Sequence, residues 1–186
     1  MKKLLLIITM LSCLLGVFFI SPAKAISPTQ DDINYIHDFF SDYCDFHEAF
    51  HSFLDGNGIE YYNKKTPEQW QAPQTQINTI YDKLKTLKPT PQFTELNDKY
   101  LDVFKQQVNI WDKYINAKNN NQKDYDITDF MTELSMNRIN ISKYYGDIYR
   151  IYNTWPKEDK DKINTPDLMT KWNRMEMRKR KIINKY

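Results

Sequence analysis

An all-α fold, an antiparallel four-helix bundle with an additional basic helix at the C-terminus, is what this chain predicts, on three observations. Apolar residues recur at three- and four-residue steps over long stretches, the period of an amphipathic helix. A Ser or Thr followed directly by proline recurs at the foot of those stretches. Only three glycines occur after residue 25 and no run alternates with period two, so strands have no foothold.

The helix starts are Ser27-Pro28, Thr66-Pro67, Thr90-Pro91 and Thr165-Pro166. Proline's fixed φ and missing N–H suit the first helical position, and the hydroxyl satisfies an orphan amide. Gln30 and Gln69, three residues beyond Ser27 and Thr66, complete capping boxes. The first helix spans 28–54 on a stripe of Ile33, Ile36, Phe40, Tyr43, Phe50 and Leu54, and Asp55-Gly56-Asn57-Gly58 ends it. After a short turn at 66–71, a second begins near Pro73 with Ile77, Ile80, Tyr81, Leu84 and Leu87, and stops at Pro89. The third, 91–117, presents Phe93, Leu96, Tyr100, Val103, Phe104, Trp111 and Ile115 before the polar run Asn119-Asn120-Asn121. The fourth, 127–155, carries Phe130, Leu134, Ile141, Tyr145, Ile148 and Tyr152 up to Pro156. The last follows Pro166 with Leu168, Trp172 and Met175, and frays where Arg178-Lys179-Arg180-Lys181 puts charge on every side.

Residues 1–25 stand apart from this pattern. Lys2 and Lys3, the apolar run from Leu4 to Ile20 and the small-x-small exit Ala23-Lys24-Ala25 read as a signal peptide cleaved before Ile26. The implied location is periplasmic or secreted, reached by the general export route of a bacterium. What remains, 26–186, is one helical domain of 161 residues, large enough for a real core. Cys44 is its sole cysteine. No internal disulfide can form, so the fold rests on packing.

The total charge identifies no partner: the signal removes three of the 26 basic residues, leaving 23 against 24 acids. The distribution is informative. Residues 26–63 hold eight acids and no Lys or Arg, whereas 165–186 hold seven Lys or Arg against Asp167 and Glu176. The opposite signs fit an acidic first helix and a basic last one that lie side by side or simply face solvent. They also allow peripheral contact with an anionic surface through Lys171, Arg174, Arg178 and Lys181. Nucleic acid is disfavoured by export and near-neutrality. Tyrosines at 61, 62, 144, 145, 149 and 152 exceed what single stripes bury, so some are exposed, as on protein contact surfaces.

One motif carries candidate chemistry. His47-Glu48-Ala49-Phe50-His51 matches H-E-x-x-H, whose helical spacing sets two imidazoles on one face for zinc with the glutamate as general base. It resembles the zincin metallopeptidase signature over five residues. That resemblance implies a zinc-dependent hydrolase with His47 and His51 as ligands and Glu48 as base. Where the extended class has glycine and a third histidine, this chain has Leu54 and Asn57. The 21 residues from Ile26 to Phe46 leave no room for the substrate-binding sheet, and Glu68 and Glu95 are the available third ligands without a supporting setting. His47 also lies within the apolar stripe, where a histidine serves the core by bonding to a partner helix. Cys44 shares that side of the helix with both histidines, the makings of a soft site for zinc or copper. No cofactor is expected. The sequence favours an exported, non-enzymatic helical-bundle protein that binds another protein or an envelope component, with the zinc hydrolase as the alternative.

Overall fold

The computed structural model describes residues 27–53 and 59–183. Seven helices and no strand occur among them: α1 (Gln30–Phe53), α2 (Ile59–Asn63), α3 (Pro67–Leu84), α4 (Thr94–Asn119), α5 (Ile127–Asn153), α6 (Lys157–Ile163) and α7 (Pro166–Ile183). Residues 1–25, which the sequence reads as a signal peptide, and the 55–58 helix stop lie outside the described residues. No helix among the described residues is long and apolar enough to cross a membrane.

Two of the four expected caps form as the sequence predicts. Thr66 and Gln69 make a reciprocal capping box at the start of α3. Thr165 accepts from the amide of Leu168 at 3.3 Å and starts α7. The other two are displaced. Helix α1 is capped by Thr29 and Asp32: the Asp32 amide donates to the Thr29 hydroxyl at 3.2 Å, and the Thr29 amide donates to the Asp32 carboxylate at 2.8 Å. A carboxylate accepts more strongly than the Gln30 amide would. Asp32 also receives the Thr90 hydroxyl. Burial opposes ionisation of Asp32, but the bonds from Thr90, Gln92 and Thr29 outweigh it and hold its pKa below the usual value. With Thr90 so occupied, Thr90-Pro91 forms a turn, and α4 begins at Thr94 without a side-chain cap.

Pro73 does not begin a helix. It lies inside α3, which runs unbroken from Pro67. An interior proline forfeits a backbone hydrogen bond and is costly. The capping box and the fully buried Trp70 fix the first turn on the near side of that proline. At the far end of α4, Asn121 takes a left-handed φ of 52°. The Gln122 amide reaches the Ala117 carbonyl at 2.9 Å and the Asn121 amide the Lys118 carbonyl at 3.2 Å, which is the Schellman closure of a helix. The short helices α2 and α6 were not expected. At five and seven residues they are too short to show a helical stripe, and Tyr62 and Ile163 are their buried anchors.

Helix α1 packs on α3, α6 and α7, α3 on α4, α4 on α5, and α2 on α5. The core is aromatic and continuous. Around the start of α3, Phe53, Trp70, Trp111, Tyr114 and Phe130 interlock with ring centroids 4.3–6.2 Å apart. Toward the start of α1, Tyr35 meets Phe93 at 5.0 Å and Phe39 meets Tyr100 at 4.8 Å. Such pairs add to simple area burial, as a fold without a disulfide requires. Tyr62 and Tyr152 are buried, whereas Tyr61 and Tyr149 remain exposed.

Candidate functional site

All the motif residues lie on α1, and the helix sends them to different neighbours. His47 and His51 are only 7% and 9% exposed. His47 lies against Tyr43, centroids 4.4 Å apart, and Tyr43 stacks on Tyr145 of α5 at 3.7 Å. His47 Nδ1 and His51 Nε2 are 3.5 Å apart, so the bond expected with a partner helix is made within α1. One turn separates the two rings, and a shared proton is the contact that spacing allows. His47 Nε2 is buried without a hydrogen-bond partner.

Glu48 points elsewhere. Its carboxylate meets Arg174 at 3.4 Å and Arg178 at 3.2 Å, both on α7. It also lines a cleft of about 410 Å³ between α1, α3 and α7, together with Asp45, Thr75, Gln76, Thr79 and Lys83. The histidines do not line this cleft. Lys171 reaches Ser41 at 2.7 Å and Asp45 at 3.0 Å. The acidic first helix and the basic last one therefore lie side by side. Three of the four cations considered for an anionic surface, Lys171, Arg174 and Arg178, bond to α1, while Lys181 is exposed.

The decisive neighbour is one that the motif does not contain. Arg138 of α5 lies with its guanidinium carbon 4.2 Å from the centre of the Phe50 ring. Burial first, then the charge of Arg138, then His51 and Lys179 push His47 down to about 3. Burial, Arg138, Lys179 and Arg178 push His51 down to about 4. Both imidazoles are neutral at ordinary pH. Cys44 is buried, and desolvation followed by the Asp45 charge pushes its thiol up to about 12, so it is a protonated thiol at neutral pH. Glu68 and Glu95 are both exposed. Among the described residues, no group of three or more His, Cys, Asp or Glu side chains is placed to hold a metal ion. The pair His47 and His51, facing a guanidinium, does not by itself fit zinc or copper.

Arg138 had a signal in the sequence. It lies four residues after Leu134 and three before Ile141, a charge at the edge of an otherwise apolar helical stripe. Asp42 is a second such residue: it is buried, and desolvation, only partly relieved by Lys83 and Lys171, pushes its carboxyl up to about 6. No known family model, curated protein or solved structure matches the chain.

Proposed function

We propose that this chain is an exported, non-enzymatic helical-bundle protein that binds another protein or an envelope component in the periplasm or outside the cell. The observation that carries the binding reading is an apolar exposure on the outer face of α4 and α5. Met136 and Ile139 are 65% and 69% exposed. Met136 joins Ile110, with Gln106, Asn109, Lys113, Glu133 and Asn140 at the rim, around a shallow groove of about 400 Å³. An adaptable methionine and a branched side chain framed by polar groups suit a contact surface.

Four long helices, α1, α3, α4 and α5, in up-down-up-down order complete this reading. Its support is the direction of the contacts. Phe53 meets Trp70 while Asp45 meets Lys83, Trp70 meets Tyr114 while Tyr81 meets Phe104, and Phe40 meets Tyr152 while Tyr43 meets Tyr145. Numbers rise along one helix as they fall along its neighbour, the pattern of antiparallel packing. Helix α7 is then the additional basic helix, and any contact with an anionic surface falls to its outer residues around Lys181.

The test is site-specific photocrosslinking in the native host with benzoylphenylalanine at position 139. A discrete protein or envelope adduct is expected from 139, absent when Met136 is replaced by Glu, and absent from a probe at Glu158 on α6. No adduct from 139, or the same adduct from 158, would refute the assigned surface. The second reading, a zinc hydrolase, is favoured by one distance. Two nitrogens bound to tetrahedral zinc stand about 3.3 Å apart, close to the 3.5 Å between His47 and His51. It requires a further ligand, displacement of Arg138 and release of Glu48 from its two arginines.

A further inference from the structure

Four of the eight residues lining the α4–α5 groove are carboxamides, Gln106 and Asn109 on α4 and Asn137 and Asn140 on α5. Asn137 is the buried one, at 5% exposure. Its Nδ2 donates to the Val103 carbonyl of α4 at 3.0 Å, which holds the side chain at the floor between the two helices. Its Oδ1 is buried without a hydrogen-bond partner. Buried carbonyl oxygens are normally satisfied, and one left over is destabilising. One end of the groove is closed by charge that is already balanced. Lys113 meets Glu133 at 2.6 Å and lies 3.8 Å from the centre of the Tyr125 ring, and the Tyr125 hydroxyl donates to the same carboxylate at 2.9 Å. Gln106 and Asn140 each lie seven residues from that pair and mark the other end. Seven helical residues span about 10 Å, the length of about three extended residues.

We propose that this groove binds an extended, uncharged peptide segment of a partner protein, one of whose backbone N–H groups donates to Asn137 Oδ1. The inference rests on the α4–α5 contact surface and names what docks there. A carboxamide carries the donor and acceptor of a peptide unit, and an extended segment leaves its own N–H and C=O groups free to pair with it. A small turn about the soft terminal torsion of Asn137 presents Oδ1 to the groove. A helix spends its backbone groups internally and docks through a long apolar stripe, whereas Ile110 and Met136 are the only apolar lining residues. They suffice for one apolar side chain of an extended peptide. Among the described residues no aromatic ring lines the groove to stack on a sugar. With Lys113 and Glu133 paired to each other, it presents no excess charge to an ionic ligand.

The test is selection from a library of end-capped hexapeptides without charged residues, in parallel with an oligosaccharide array. The selected peptide is then titrated into isotope-labelled protein while the side-chain amide resonances are followed. Saturable shifts of Asn109, Asn137 and Asn140 are expected. N-methylation of one central peptide nitrogen should weaken binding at least tenfold, because it removes the N–H that Asn137 accepts. Asn137→Leu is expected to weaken binding at least tenfold as well, while Lys157→Gln, at an exposed position on α6, leaves it unchanged. Asn109→Ala, also at an exposed position, is expected to weaken it severalfold and keeps the proposal testable if the Asn137 variant fails to fold. No selected peptide, a sugar bound in its place, a peptide indifferent to N-methylation at every position, or wild-type affinity in the Asn109 and Asn137 variants would overturn it. Any of these results with the photocrosslink from position 139 intact refutes the extended peptide alone; loss of that crosslink as well refutes the contact surface.

Discussion

Acidification from pH 8 to pH 5 separates a buried neutral histidine from a surface one, and His47 is the residue that decides it. Its pKa falls from 6.5 in the unfolded chain to about 3 in the fold. A depressed histidine contributes stability that is fully present above pH 6.5 and is lost as pH falls toward 3, because only the unfolded chain takes up the proton in that window. At pH 5 the unfolded side chain has titrated through 1.5 units while native His47 has barely begun. At 1.36 kcal/mol per unit this is a loss of about 2 kcal/mol. His51, lowered to about 4, adds a loss of about 2 kcal/mol by the same reasoning. Asp42 works in the opposite direction. Its carboxyl, raised to about 6, is more readily protonated in the fold, so acidification from pH 8 to 5 recovers about 1 kcal/mol. The net expectation is a loss of about 3 kcal/mol, a large part of the 5–15 kcal/mol typical of a domain. Urea unfolding at both pH values with EDTA present, followed by fluorescence of the buried Trp70 and Trp111, measures it. In His47→Phe the pH-dependent loss should shrink by about 2 kcal/mol whatever the variant's absolute stability. An unchanged loss in that variant, or a wild type equally stable at both pH values, would refute the placement of His47.

Two further outcomes follow from single residues. Asp42→Asn removes a carboxylate that is charged at pH 8 at a cost of about 3 kcal/mol; the variant should be the more stable protein there, and its loss between pH 8 and 5 should exceed the wild-type loss, both readable from the same urea curves. Asn121→Ala places a Cβ-bearing residue without asparagine's local hydrogen bonding at φ 52°, and should lower stability by about 1 kcal/mol, whereas Asn121→Gly should equal or exceed the wild type in Tm.

The class of fold was legible because helical periodicity and Thr-Pro starts are local signals. The departures arose where a longer-range contact outweighed a local one. Thr90-Pro91 has the local sequence of a cap, but the Thr90 hydroxyl donates to Asp32, 58 residues away. Pro73 has the local character of a helix start, but Trp70 on its near side is anchored in the aromatic core. The histidine motif was legible as a pattern, and its burial followed from the stripe around it. Its electrostatics were not, because Arg138 comes from a helix 91 positions further along the chain than His47. Periodicity identifies a charge at the edge of a stripe without identifying what it will face. The placement of Glu48 against α7, by contrast, follows from the acidic and basic ends of the chain, a contrast visible in composition alone.

Elemental analysis of the protein, purified without chelator or affinity metal, tests most directly the claim that His47-Glu48-Ala49-Phe50-His51 serves packing and not metal chemistry. The predicted result is zinc and copper far below one per chain, equal in wild type and in the His47→Ala, His51→Ala double variant. About one zinc or copper per chain, lost in a double variant that keeps its helical circular dichroism, would contradict it.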